Sequence, residues 1–230
     1  MKKTIKRIKK IKKKCSLKKR YNNLEEVIDI IKKMSLVKFN ESIDIAINLG
    51  IDSKKNDQNV KGIIILPYNI NKKTKIAVFA QKSDVKMYKY MKKDHIIGIN
   101  SITKKIQKKN FDFDTLITTK EYIKKLIKFA PILGPRNLMP NVKFGTITND
   151  INKTINNIIS GQIKYKNDKN GIIHSTIGKI SFENFKIKEN FYKFIDVIKK
   201  NKPNNSKGIY IKKVSMSSTM GLSFNITNLI

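Results

Sequence analysis

The stretch GIIILPYNINKKTKIAVFA, residues 62–80, decides how the chain is organised. Gly62 to Leu66 reads as a short buried strand, and Pro67 stops it because proline has no N–H to give to a sheet ladder. Lys75 to Ala80 reads as a second buried strand, and the texture on its two sides differs. Upstream, Asn22 or Asn23 caps a helix with Glu25 and Glu26 in its first turn, and Leu24, Val27, Ile28, Ile31 and Met34 share one face. Ile43, Ile45, Ile47 and Leu49 then alternate with polar residues until Gly50, the period of a half-buried strand.

Downstream of residue 68, short apolar strands alternate with helices. Helical stretches lie near 84–93 and 101–108, a strand at Thr115–Thr119 and a helix at 120–129. A Gly- and Pro-containing loop covers 130–146, and a helix follows near 150–159. That order indicates a small βαβ-type domain with a parallel sheet. The last third returns to the style of the first. Gln162–Lys166 and Ile172–Ser175 flank a turn whose Asn170-Gly171 favours a tight hairpin. A helix near 189–201 turns Phe191, Phe194, Ile195 and Ile198 inward, and a final strand pair, Gly208–Ser218 and Leu222–Ile226, surrounds Thr219-Met220-Gly221. The expected fold class is therefore α/β in the broad sense (α+β). A discontinuous domain, 1–67 together with 160–230, carries an antiparallel sheet with helices, and a second domain, 68–159, is inserted in it. The chain crosses near Pro67 and Ser160-Gly161, and two adjacent crossing strands form a natural hinge.

Charge sets the class of partner. The 230 residues hold 50 Lys plus Arg against 17 Asp plus Glu, a net +33. Self-repulsion on that scale calls for a polyanion. Residues 1–20 contribute 12 of the basic residues and no acid; taking them away leaves +21 on the other 210 residues, so the body is basic too. Ile5, Ile8 and Ile11 repeat among these lysines, and two readings stand for the segment: a helix wound on RNA, or a solvated arm. Lysine, isoleucine and asparagine are abundant throughout, as composition drift toward an AT-rich genome produces, so the sign of the charge carries more weight than its size. No apolar run reaches the ~18 residues of a membrane span. Cys15 has no second cysteine to pair with, which fits a reducing cytoplasm. The charged N-terminus lacks the apolar stretch of a secretory signal.

Catalytic chemistry finds no set of residues. No dinucleotide glycine fingerprint and no phosphate-binding loop is present. Of the two histidines, His95 and His174, the second is followed by Ser175, but adjacent strand residues face opposite sides. Asp112 and Asp114 read as caps or solvated residues ahead of a strand. No cofactor and no metal are expected.

Three clusters suit RNA. Lys38-Phe39-Asn40-Glu41 sets an aromatic ring beside an amine ahead of the alternating strand, a pairing that stacks on bases while meeting phosphate. Ser217-Ser218-Thr219-Met220-Gly221 offers hydroxyl groups and close backbone approach. Tyr165-Lys166-Asn167-Asp168-Lys169 sets an aromatic and two amines around a turn. Each has a plainer reading as core packing or an ordinary turn. A nonspecific nucleic-acid binder explains the charge but not the small uncharged turn. An RNA-processing enzyme needs a metal or acid–base set that these residues do not supply.

Taken in order, the strings KFNE (38–41), NLGID (48–52), KNDQNVKG (55–62), ILGPRNLMPN (132–141), GQIKYKNDKNGIIH (161–174), IGKISF (177–182) and SSTMG (217–221) resemble bacterial large-subunit ribosomal protein one, the family of the mobile stalk beside the tRNA exit site. The resemblance implies that the inserted domain is Rossmann-like with three layers. It also implies that the domain built from both termini binds the large-subunit rRNA stalk. Beyond that, it implies help in releasing deacylated exit-site tRNA, repression of the chain's own operon mRNA, and residence as a monomer in the cytoplasmic large ribosomal subunit, away from any membrane. By motif match, the RNA contacts carried over are Phe39, Glu41, Lys169, His174, Thr219, Met220 and Gly221; Lys38 and Lys166 join them from the cluster reading above. The sequence departs from the family pattern at Asn40 (usually Asp), at Tyr68-Asn69 (usually His-Gly), at Asn137 (commonly Gly) and at Val142 (commonly Pro). These departures bear on the hinge and on the shape of the middle loop.

Overall fold

The computed structural model describes residues 21, 23–70, 74–81, 96–108, 111–206 and 208–229. The lysine-rich segment 1–20 with Cys15, the helix expected near 84–93 and His95 lie outside the described residues. The described residues fall into two compact units, one within Met1–Ile70 and Tyr165–Ile230, the other within Asn71–Lys164.

The terminal unit opens with helix α1 (Leu24–Met34), capped by Asn23, whose Oδ1 accepts from the Glu25 N–H at 3.3 Å. Leu24, Val27, Ile28, Ile31 and Met34 are buried, the same face that the spacing predicts. Four β-branched residues in eleven cost this helix at most ~0.7 kcal/mol each in propensity. Burying an aliphatic side chain returns about 1.5–3 kcal/mol, so packing decides the conformation. The polar ends follow the helix dipole, with Glu25 and Glu26 first and Lys32 and Lys33 last.

Strand β1 (Ser42–Leu49) buries every second residue. It is the second strand of a four-stranded antiparallel sheet ordered β7-β1-β8-β9, with β7 at Ile172–Lys179, β8 at Ile211–Ser218 and β9 at Ser223–Asn225. Helix α6 (Asn184–Lys200) packs on β7 and on α1, burying Ile187, Asn190, Phe191, Phe194, Ile195 and Ile198. It starts five residues earlier than the sequence suggests, with Glu183 at the N-cap position and no capping bond from its side chain. Lys188 Nζ meets Glu25 Oε1 at 2.7 Å between the two helices, and that carboxylate raises the pKa of the lysine. Lys32 Nζ donates to Phe182 O and Asn184 Oδ1, and burial lowers its pKa.

Two expectations for this unit are corrected. β2 (Lys61–Ile65) is not a buried strand throughout: Ile64 is 2% exposed but Ile65 is 46% exposed. It pairs with β6 (Gln162–Lys166) in a two-stranded sheet, which leaves one side open. The arms around Asn170-Gly171 do not form a continuous hairpin either. β6 joins β2, β7 joins β1, and one bridge, Asn167–Ile173, links them across the turn. Asn167 is drawn to the β2 side, its Oδ1 accepting from Val60 N–H at 2.9 Å and its N–H donating to Val60 O at 3.0 Å.

The inner unit holds a parallel sheet ordered β4-β3-β5: β3 (Ile76–Phe79), β4 (Ile96–Ile97) and β5 (Thr115–Thr118). β3 is buried on both faces. Ile76, Val78 and Ile117 pack against Ile151, Ile155 and Ile158 of α5 (Ile151–Ile159). Ala77, Phe79 and Leu116 pack against Ile102 and Ile106 of α2 (Ile99–Gln107), Leu126 of α3 (Ile123–Ile127) and Leu133 of α4 (Ala130–Leu133). Helices on both faces make three layers, the arrangement that keeps a parallel sheet dry. The helix expected over 120–129 is shorter, and the expected loop contains α4, with Pro131 in its first turn, where no N–H is needed. In the same loop Asn137 has φ 56°.

Candidate RNA-binding surface

β1 sets the geometry of the surface. Its alternation sends Ser42, Asp44, Ala46 and Asn48 to the open side of the sheet. Asp44 lies between Thr176 of β7 and Ser217 of β8; Ala46 lies between His174 and Ser215. The open face is therefore small and polar. Asp44 is the acid that β1 places on it, and the helices carry Glu25, Glu26 and Asp29 in α1 and Glu189 and Asp196 in α6.

At the Ser42 end of β1, Lys38 and Phe39 are exposed, Phe39 to 54%. Asn40 ties this segment to the loop after β7: its Nδ2 donates to Ser181 Oγ at 2.8 Å, and Ser181 N–H donates to Asn40 Oδ1 at 3.3 Å. The β8–β9 turn joins the same end. Thr219 N–H donates to Ser42 O at 3.1 Å, Ser42 N–H donates to Thr219 Oγ1 at 3.1 Å, and Thr219 Oγ1 donates to Ser42 O at 3.3 Å. Glu41 is 1% exposed. Its Oε1 accepts from Ser35 Oγ at 3.0 Å and its Oε2 from Met220 N–H at 3.4 Å. Gly221 N–H donates to Ser218 O at 3.1 Å, and a Cβ at Gly221 would stand 2.4 Å from Ser218 Oγ. Met220 is left 41% exposed.

The expected contacts at this end thus divide in two. Lys38, Phe39 and Met220 face solvent, whereas Glu41 and the Thr219 hydroxyl are engaged in holding the turn against β1, and Gly221 is the residue that fits beside Ser218. The Glu41 carboxylate points inward rather than toward a ligand.

At the Leu49 end, Lys166 and Lys169 are exposed around the turn that Asp168 braces, its Oδ1 accepting from Asn170 N–H and Ile172 N–H at 2.8 Å each. Ser53 Oγ donates to Lys169 O. Tyr165, the aromatic of the third cluster, is 2% exposed, with its hydroxyl accepting from Asn201 Nδ2 at 2.7 Å, so it offers no ring to a ligand. His174 lies between the two ends on the open face, its side chain 64% exposed and its Nε2 3.9 Å from Asp168 Oδ2. The seven steps from Ser42 to Leu49 at ~3.4 Å each put the ends roughly 24 Å apart. The structure therefore joins Lys38, Phe39, Glu41 and Thr219–Gly221 into one cluster, sets Lys166 and Lys169 in another, and connects them by the sheet face with His174.

Sequence reasoning placed Ser217 in the turn cluster but missed Asp44, Ala46 and Thr176 beside it on that face. The signal was present: the solvent side of β1 reads Ser-Asp-Ala-Asn, short side chains where a merely solvated strand favours long ones.

Among the described residues, no group of three or more His, Cys, Asp or Glu is placed to hold a metal ion, and no helix is long and apolar enough to cross a membrane.

Residues 31–222 match the model of the ribosomal protein L1p/L10e family. The chain is 49% identical over 226 residues to a protein named large ribosomal subunit protein uL1 from Buchnera aphidicola subsp. Acyrthosiphon pisum (strain Tuc7), covering 98% of this chain and 97% of that one. It is 48% identical over 198 residues to the protein of the same name from Coxiella burnetii (strain Dugway 5J108-111), covering 86% and 85%. Identity of this extent, together with a mixed α/β fold, settles the assignment: the chain belongs to the ribosomal protein L1p/L10e family, whose members are structural components of the ribosome and not enzymes.

Proposed function

We propose that this chain, a structural constituent of the large ribosomal subunit by family, holds the mobile stalk of large-subunit rRNA with its terminal unit. The observation that carries this reading is the lacing of Thr219-Met220 to Glu41-Ser42, which holds the turn with the exposed Met220 at the same end of β1 as the exposed Phe39. Folded RNA is recognised by shape, by ribose hydroxyls and by stacking of unpaired bases, and a rigid turn next to an exposed ring serves each of these. Lys38, Lys166 and Lys169 supply phosphate contacts, and the inner unit is an inserted Rossmann-like domain that the grip itself does not need. With ~6–10 phosphates engaged, affinity for a stalk fragment falls by about 10³-fold or more between 50 and 200 mM salt in a filter-binding series. A flat series contradicts the reading.

The same surface extends to two further roles. Bound to the stalk, the chain assists release of deacylated tRNA from the exit site, which faster tRNA dissociation from ribosomes carrying the protein than from ribosomes lacking it checks. An mRNA that copies the stalk's shape competes for the surface, so the protein represses its own operon; a reporter that ignores added protein rules this out.

A further inference from the structure

The open face of β7, β1 and β8 carries a depression of about 340 Å³ whose lining includes Asp44, Ala46, His174, Thr176 and Ser217. In a chain of net +33, a carboxylate on this face is out of place for phosphate contact. Like charges repel, and more strongly at the lower dielectric of a protein surface than in water. An ionised carboxylate only accepts hydrogen bonds, so Asp44 needs donors. Thr176 Oγ1 donates to Asp44 Oδ1 at 2.6 Å, which fixes the carboxylate and leaves Oδ2 and the second lone pair of Oδ1 for a ligand. Ala46, next but one along β1, keeps the depression open, and His174, directly across from Ala46, supplies an exposed ring at its side.

RNA offers donors as ribose hydroxyls and as N–H groups of unpaired bases, which proteins read on their Watson–Crick edges. Two adjacent N–H groups match the two oxygens of a carboxylate, and guanine is the base that presents them together, at N1 and N2. We propose that Asp44 is a specificity-determining residue that receives the Watson–Crick edge of an unpaired guanine in the bound RNA, with Ala46 beneath the base and His174 beside it. This inference rests on the RNA-binding reading above and names which base the sheet face selects.

The test uses the full chain, a stalk fragment of large-subunit rRNA and a duplex of equal length. Asp44→Asn removes a negative charge, so if Asp44 is a bystander, binding to the stalk fragment stays level or tightens. If it accepts from guanine, binding weakens roughly tenfold or more, while duplex binding holds. Ala46→Leu fills the depression without altering charge and weakens stalk binding likewise. Inosine, which lacks the N2 amino group, is placed at each unpaired guanine in turn and needs no protein variant. One position is expected to weaken the unaltered chain and to have little further effect on Asp44→Asn. An unweakened Asp44→Asn, an inosine scan with no sensitive position, or sensitivity to 2′-deoxy substitution in its place overturns the guanine assignment and leaves rRNA binding standing. Equal binding of the stalk fragment and the duplex by the unaltered chain overturns both.

Discussion

Met220 N–H donates to Glu41 Oε2 at 3.4 Å across 179 residues of sequence, and this bond joins the two motifs expected to meet RNA. On the proposed reading, Glu41 bears on RNA only through the turn it holds. Glu41→Ala leaves Ser35 Oγ and Met220 N–H without their acceptor in a site that is 1% exposed. A loss of about 1–3 kcal/mol in stability follows, read from the urea midpoint. Stalk-RNA affinity drops further than random-RNA affinity, because the turn loosens while the lysines remain. Glu41→Gln keeps an acceptor oxygen and falls between.

The turn and the ring separate by their effect on stability. Thr219→Val deletes both hydroxyl bonds to Ser42, so it lowers the melting temperature and weakens specific binding. Phe39 is 54% exposed, so Phe39→Ala leaves the melting temperature nearly unchanged but weakens binding by ~1–3 kcal/mol if the ring stacks on a base. Met220→Asp puts a charge at the proposed RNA contact and is expected to abolish preference for the stalk. Equal losses on stalk and random RNA for all three variants would reduce the turn to a structural element.

Asn137 occupies left-handed backbone at φ 56°, where the family pattern commonly has glycine. Asparagine is among the few non-glycine residues that adopt this conformation readily, so the departure keeps the turn. Asn137→Gly is expected to change stability by under about 1 kcal/mol, whereas Asn137→Val costs about 1–2 kcal/mol, both read from thermal melts. A neutral valine variant would show that the loop does not need the left-handed residue.

The clearest pH dependence comes from Tyr210. Burial, then the neighbouring Tyr165, push its pKa from 10.0 to about 12. The folded chain keeps this proton after the unfolded chain has lost it, so the neutral hydroxyl's contribution is complete below pH 10 and disappears as pH rises toward 12. Two units correspond to a loss on the order of 2–3 kcal/mol. Lysines titrate in the same range, so the measurement is the difference between the unaltered chain and Tyr210→Phe in urea melts at pH 9 and 11.5. Parallel losses in the two proteins contradict the assignment.

Much of the fold was legible where one segment carries its own pattern. The α1 face, the β1 alternation and the doubly buried β3 follow from periodicity, because helix and strand repeats write burial directly into sequence. Long-range choices were less legible. Asn170-Gly171 marks a turn correctly, yet β6 leaves β7 for β2 because Asn167 bonds to Val60, 107 residues away. The inward role of Glu41 was hidden for the same reason: its partner stands at the far end of the chain. The shortened helix before Pro131 was legible in principle, since proline in a first turn marks a new helix rather than a loop. Asp44 was overlooked because basic residues dominate any search for an RNA surface, and a short acidic side chain does not stand out in such a search.

The most direct measurement is cosedimentation with large ribosomal subunits stripped of their own stalk protein, at rising salt and with duplex DNA as competitor. A rigid turn beside an exposed ring predicts that one copy per subunit stays bound at salt that frees the protein from the duplex, and that Met220→Asp is lost from both together. Release of the unaltered chain from subunits and duplex at the same salt would mean that charge holds it and shape does not.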